Sequence, residues 1–316
     1  MTSITRTKLP VDDIIGDLQE AYRMGRRQFV IKATPGSGKT TRIPPAFLDS
    51  CKGGVWILEP RRLAAKMSAL RVESELPESR RQTVGWHMRQ DRRFDAQTRL
   101  LFITEGLFNI RLSANPTLQG VDIVILDEFH ERHVDTDLAL ALLLAIQKNE
   151  RPDLCIIVMS ATLDETELLR TIPEALLINV TTPMHPVEER YYRGDHSLSL
   201  AQKIATTCEQ AAKDPHYRGH ILCFLPGTRD IQNAKNLLSR WASDHPNIEI
   251  CELRASLPRT EQERVFKETS KQKIILATNI AESAITIPNV TTVIDSGLAK
   301  VLTYDSTSGL THLETR

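Results

Sequence analysis

Residues 28–40 read QFVIKATPGSGKT. A β-prone apolar run, QFVIK (28–32), breaks into a glycine-bearing turn and then into TRIPPAFLDS (41–50), which reads as a helix. Strand, glycine-rich turn and helix in that order are the setting of a loop that cradles phosphate. Gly36 and Gly38 let backbone N–H groups curl around anionic oxygens, and the helix N-terminus adds partial positive charge. Lys39 supplies a point charge for the outer phosphates and Thr40 a hydroxyl for Mg²⁺. The candidate loop is Ala33, Thr34, Pro35, Gly36, Ser37, Gly38, Lys39 and Thr40, with Ala33 where the strict pattern has its first glycine.

Outward from this stretch the same alternation continues. VWIL (55–58), RLLFIT (99–104), VDIVIL (121–126) and CIIVMS (155–160) are nearly unbroken apolar runs, as strands covered on both faces of a parallel sheet are. Helical patterns lie between them at 62–76 and 136–149. Two prolines and a polar cluster at 181–196 interrupt the pattern, which marks a connector. The alternation restarts with HILCFL (220–225), IEICEL (248–253), KIILAT (273–278) and VTTVID (290–295), with helices expected at 198–213, 229–243 and 260–269. The expectation is an α/β chain of two parallel-sheet domains, 1–183 and 184–316. VLTYDSTSGLTHL (301–313) places a turn composition between two β-prone runs and reads as a hairpin. RQDRRFDAQTR (89–99) reads as a charged loop.

LDEFH (126–130) closes the strongly apolar run 121–126. Two carboxylates at the end of a buried strand are costly without something to bind. Asp127 is expected to hold Mg²⁺ through its water shell, together with Thr40 and Glu128. Glu128 is expected to orient and deprotonate an attacking water. Asp127, Glu128 and Lys39 are thus the candidate catalytic set.

Composition narrows the rest. Forty Lys plus Arg balance forty Asp plus Glu over 316 residues. Zero net charge excludes a polybasic nucleic-acid coat protein but leaves room for a local basic groove. Cys51, Cys155, Cys208, Cys223 and Cys251 are scattered with no CxxC pair, which argues against a zinc knuckle or a disulfide framework and for a reducing, cytoplasmic setting. No apolar run approaches the roughly 20 residues that span a bilayer, and the opening residues lack the apolar core of a secretory signal.

Taken together, the motifs resemble those of a superfamily-two RNA helicase of the DEAH type, most like its bacterial HrpB-like branch. ATPGSGKTT (33–41), EPRRLAA (59–65), TEG (104–106), DEFH (127–130), SAT (160–162), ILCFLPGTRDI (221–231) and ATNIAESAITI (277–287) resemble motifs I, Ia, Ib, II, III, IV and V in their order. The resemblance implies two RecA-like P-loop domains, ATP or another NTP with Mg²⁺ as cofactors, and single-stranded or partly duplex RNA as partner. NTP hydrolysis would drive 3′–5′ movement and unwinding.

By the same resemblance, Arg71 stacks on the nucleotide base and Phe266 meets its other face, so that discrimination among NTPs is weak. Arg61, Arg62, Thr104 and Thr278 match positions that contact the RNA backbone, which carries affinity without sequence information. Ser160 and Thr162 match the motif that couples hydrolysis to strand separation, and His130 links it to the carboxylates. Two departures stand out. Pro288 occupies a place where an acidic residue contacts ribose, and a QRxGRxGR-like motif VI does not occur before Arg316. That motif supplies arginine fingers worth roughly 10³–10⁵ in rate. The sequence therefore leads one to expect an incomplete second domain and weak hydrolysis, or alternatively a non-hydrolytic nucleotide- and RNA-binding clamp or a degenerate helicase copy.

Overall fold

The computed structural model describes residues 8–162, 165–181, 186–192, 195, 197–214, 218–281 and 286–316. The chain divides into two compact units, Met1–His185 and Pro186–Arg316. The boundary expected near 183 falls at 182–185, outside the described residues.

The first unit opens with α1 (Ile15–Arg23), β1 (Gln28–Ala33), α2 (Lys39–Ala46), β2 (Gly54–Glu59) and α3 (Arg62–Glu75). It continues with β3 (Val84–Met88), β4 (Asp91–Arg93), β5 (Leu100–Thr104), α4 (Glu105–Ala114) and β6 (Val121–Leu126). It ends with α5 (Val134–Asn149), β7 (Cys155–Ser160), α6 (Glu165–Thr171) and β8 (Leu176–Val180). The strands form one sheet in the order β4-β3-β5-β2-β6-β7-β1-β8. Every pairing is parallel except that of β4 with β3.

Alternation along the strands divides the core in two. Phe29, Ile31, Ile57, Ile123, Ile125 and Ile157 join residues of α1, α2 and α3 in one cluster. Their neighbours Val30, Leu58, Val124, Leu126 and Val158 join α4, α5 and α6 in the other. Helices thus cover both faces, which is why the strands read as continuous apolar runs. The loops at the carboxyl ends of such strands are where an open α/β sheet binds its ligand.

The second unit contains α7 (Leu200–Lys213), β9 (His220–Phe224), α8 (Thr228–Ala242), β10 (Ile248–Leu253), α9 (Arg259–Arg264), β11 (Gln272–Ala277) and β12 (Val290–Asp295). Its sheet is parallel in the order β10-β11-β9-β12. A separate antiparallel hairpin, β13 (Lys300–Asp305) with β14 (Leu310–Thr315), carries exposed Leu302, Tyr304, Leu310 and Leu313.

Two expectations are corrected. The stretch 89–99 is not all loop, because Asp91–Arg93 pairs antiparallel with β3 through Trp86 and Arg93, His87 and Arg92, Met88 and Asp91. The helix expected over 260–269 is α9, which ends at Arg264. Strand β8 gave no usable sequence signal: it lies at the sheet edge and is half-buried along most of its length.

Candidate phosphate-binding site

The glycine-bearing turn leaves the carboxyl end of β1. Ala33 is still strand, fully buried and paired with Val180 of β8, so the position needs no glycine here. Gly36 and Gly38 do, with φ of 77° and 91°. A Cβ on Gly38 would also stand 2.6 Å from Leu9 Cδ1. The Gly38 carbonyl accepts the N–H groups of Thr41 and Arg42 at 3.2 and 2.9 Å and starts α2. Pro35 and Gly36 are exposed at the tip, whereas Ser37 is wholly buried. The Thr34 and Ser37 hydroxyl oxygens are buried without a hydrogen-bond partner. Buried hydroxyls are normally satisfied, and an acceptor-rich anion is a partner that fits both.

Lys39 and Thr40 meet the DEFH segment directly. Lys39 Nζ donates to Glu128 Oε1 at 2.8 Å, with both side chains buried. The Thr40 hydroxyl donates to Asp127 Oδ2. Asp127 Oδ1 accepts the Glu128 N–H at 2.8 Å, and the Asp127 N–H donates to the Leu58 carbonyl at 3.0 Å. Glu128 itself sits in the left-handed region at φ 49°, a conformation that non-glycine residues keep only where surrounding contacts enforce it.

A third carboxylate stands beside them. β2 and β6 pair with Leu58 opposite Leu126, so Glu59 and Asp127 leave adjacent strand ends side by side. Burial, and then the charges of Asp127 and Glu128, push Glu59 well above the ordinary carboxylate range. Burial pushes Asp127 up to about 6 against the pull of Lys39. Burial alone would lower Lys39, but Asp127, Glu128 and Glu59 outweigh it and hold the ammonium above its usual value. His130 is lowered by burial and by Lys39, which favours the neutral ring; its Nδ1 lies 3.4 Å from Glu128 Oε2.

A second network runs from this segment to other expected residues. Arg61 Nη2 and His133 Nε2 each lie 3.5 Å from Glu131 Oε2. His133 Nδ1 lies 3.3 Å from Glu105 Oε2, and the Thr136 hydroxyl donates to Glu105 Oε1. Thr104 stands at the N-terminal boundary of α4, just before Glu105, without a side-chain capping hydrogen bond. Arg62 is exposed and donates to the Arg89 carbonyl at 2.8 Å. Ser160 is buried at the end of β7 and its hydroxyl donates to the carbonyl of exposed Thr162 at 3.2 Å.

The structure thus gathers Lys39, Thr40, Asp127, Glu128 and His130 into one cluster. Arg71 stands apart on α3, exposed, with its Nε donating to Glu75 Oε1 at 2.6 Å. Phe266 and Thr278 belong to the second unit. Phe266 is half-buried after α9, and the Thr278 N–H donates to the Leu253 carbonyl at 3.2 Å. Residues 282–285 of the expected motif V lie outside the described residues. Sequence reasoning missed Glu59, Glu105, Glu131, His133 and Thr136. For Glu59 a signal existed, since VWILE ends an apolar strand on a carboxylate as VDIVILD does.

Residues 18–170 match the family model of the DEAD/DEAH box helicase, and residues 202–316 that of the helicase conserved C-terminal domain. The chain is 37% identical to the ATP-dependent RNA helicase HrpB of Escherichia coli, over 98% of this chain and 38% of that protein. It is 33% identical to Escherichia coli HrpA, over 94% of this chain and 23% of that protein. Likeness to the ATP-dependent RNA helicase DHX30 of Gallus gallus is 34%, over 90% and 26%. The crystal structure of Escherichia coli DEAH/RHA helicase HrpB superposes with a TM-score of 0.85 at 35% identity, covering 98% of this chain and 39% of that one. The chain therefore spans well under half the length of these relatives.

Proposed function

Because the chain belongs to the DEAD/DEAH box helicases, we propose that it binds and hydrolyses ATP or another NTP and uses the cycle to move 3′–5′ on RNA and unwind it. The observation that carries this reading is the direct meeting of Lys39 with Glu128 and of Thr40 with Asp127. Those four side chains belong to two distant segments, and the carboxyl end of one sheet brings them together.

In this reading Ala33 to Thr40 wrap the phosphates, and Lys39 turns from Glu128 to the β- and γ-oxygens. The Thr34 and Ser37 hydroxyls complete the cradle. Thr40 and, through water, Asp127 together with Glu128 offer hard oxygen donors that fit Mg²⁺, an ion that needs only one or two carboxylates beside phosphate and water. Bound Mg²⁺ supplies charge neutralisation at the β- and γ-phosphates. Glu128 orients the attacking water and takes its proton.

Arg71 and Phe266 each offer a face to the base. Ser160, Thr162 and His130 couple hydrolysis to movement, and Arg61, Arg62, Thr104 and Thr278 grip the RNA backbone. The Arg61–Glu131–His133–Glu105 network supports that coupling, because it ties an expected RNA-contacting arginine to the segment holding Asp127 and Glu128. No helix among the described residues is long and apolar enough to cross a membrane; we place the activity in the cytoplasm, where RNA is met.

The test is NTP hydrolysis with and without single-stranded RNA. RNA should accelerate phosphate release by the native chain, and Glu128→Gln should abolish the accelerated part while leaving nucleotide and RNA binding intact. Phosphate release that RNA does not alter, or that survives in Glu128→Gln, would overturn the reading.

A further inference from the structure

Helix α9 has six residues, too few to stand by itself. Side chains from outside its backbone ladder fasten it at both ends. At the start, buried Gln262 donates through Nε2 to the Leu257 and Arg254 carbonyls at 2.9 and 3.2 Å. At the end stands Lys273 of β11, only 1% exposed. Its Nζ donates to the carbonyls of Arg264, Val265 and Lys267 at 2.9, 3.0 and 2.5 Å.

An ammonium has three protons, and each has a carbonyl here. The partners are the carbonyls of the last helical residue and of the turn after it, where the helix dipole favours a cation, and the Arg264 carbonyl also accepts the Lys267 N–H at 3.3 Å. Burying an ammonium still costs several kcal/mol before its hydrogen bonds are counted. A methionine would fill the same space without a charge but would take this donor away from all three carbonyls. What the three bonds fix is local: they bracket residue 266, with two anchored carbonyls before it and one after. Val265 beside it is buried, while the Phe266 ring stays half-exposed outside the core.

We propose that Lys273 is a positioning residue for nucleotide binding: it locks the turn after α9 so that the Phe266 ring is held ready for the base. The inference rests on the reading of Phe266 as a base-stacking residue. Freezing the turn in advance removes an ordering cost that binding would otherwise bear. Lys273 therefore acts on the base and leaves the phosphates alone.

The experiment uses the full chain and displaces a fluorescent ATP analogue with either ATP or inorganic tripolyphosphate. The ratio of the two affinities isolates the contribution of the nucleoside. Lys273→Met should lower that ratio roughly tenfold, the scale of one base–aromatic stack, with tripolyphosphate affinity unchanged. Phe266→Ala should lower it as much, and Lys273→Met should add nothing on the Phe266→Ala background. Lys273→Gln, which keeps two donors, should show the same effect at smaller size and serves if the methionine variant does not fold. Equal weakening of ATP and tripolyphosphate would mean a merely structural lysine and overturn the proposal. So would an unchanged ratio in the Lys273 variants while Phe266→Ala lowers it. An unchanged ratio in Phe266→Ala would instead remove the base-stacking reading, and the proposal with it.

Discussion

Lys39 Nζ and Glu128 Oε1 are 2.8 Å apart, so the loop lysine and the candidate base neutralise each other. A phosphate has to replace Glu128 as the partner of Lys39, and Glu128 is thereby released toward water. Lys39→Ala leaves Glu59, Asp127 and Glu128 close together with no cation among them. It should weaken nucleotide binding about a hundredfold or more, which is about 2.7 kcal/mol. Glu128→Gln keeps the volume, loosens the competing pair and should bind ATP at least as tightly as the native chain. Its turnover should fall by roughly 10²–10⁴, the usual share of a general base. Isothermal titration and single-turnover hydrolysis check both halves. Equal nucleotide affinity in Lys39→Ala and the native chain would remove the phosphate-loop assignment.

Phe129 is the residue that makes this motif DEFH, where the family resemblance has alanine. It is 2% exposed and belongs to the cluster with Phe108, Leu126, Leu140 and Val158. Glu128 and Arg132 on either side of its turn both have left-handed backbone, at φ 49° and 50°. The buried ring is the anchor that holds this strained turn against the sheet. Phe129→Ala, although it restores the family spelling, should therefore cost roughly 3–5 kcal/mol of stability. Urea unfolding of the two chains measures it. A loss below about 1 kcal/mol would show that the site relaxes around the gap.

The strands around the site were legible because each is covered on both faces and so is apolar throughout, as with Val121–Leu126 and Cys155–Ser160. Lys39, Thr40, Asp127 and Glu128 were legible because phosphate chemistry fixes their types and spacing. Glu59 was not, since its role arises only when β2 is laid beside β6. The Arg61–Glu131–His133–Glu105 chain was hidden for the same reason: each member is an ordinary polar residue until α4, the DEFH turn and the start of α3 are brought together. β4 was read as loop because three charged residues, Asp91–Arg93, carry no apolar alternation; its place is set by pairing with β3 and by Arg93 packing 4.1 Å from the Trp86 ring.

His220 gives a pH prediction. Its Nδ1 accepts the Lys273 N–H at 3.2 Å, which a protonated ring could not do. Burial and the neighbouring Lys273 charge lower its pKa from 6.5. Below 6.5 the unfolded chain takes up this proton while the folded chain still resists it, so the unfolded state binds more protons and stability falls as pH drops. The contribution is intact above about 6.5 and is lost as pH falls from there toward the folded value. Buried Asp127 and Glu59 are shifted upward and act in the opposite sense, so the native chain alone does not isolate the effect. The difference between native chain and His220→Asn does. The native chain should lose stability relative to the variant on going from pH 7.5 to 5.5, by at most about 1.4 kcal/mol per pH unit for one proton. A difference that stays flat over that range would show that His220 does not titrate differently in the folded state.

Arg71 is held by Glu75, whose other oxygen accepts from buried Arg42 of α2 at 2.7 Å. The guanidinium is therefore oriented from the phosphate-loop helix while its far side remains exposed. A guanidinium plane meets any base through its π-face and has no hydrogen-bond code for adenine. ATP, GTP, CTP and UTP should compete for the site within about tenfold, or about 1.4 kcal/mol. Arg71→Ala should weaken all four by a similar factor of roughly three to thirty, the range of an exposed to a desolvated cation–π contact. Glu75 is a poor residue for this test, because removing it also strips a partner from Arg42, which is 3% exposed, and stability would fall together with binding. Competition binding with the four nucleotides, on native chain and Arg71→Ala, is the measurement. A native preference for ATP above about a hundredfold, abolished or not by the substitution, would mean that the base is read by hydrogen bonds and that stacking is not what holds it.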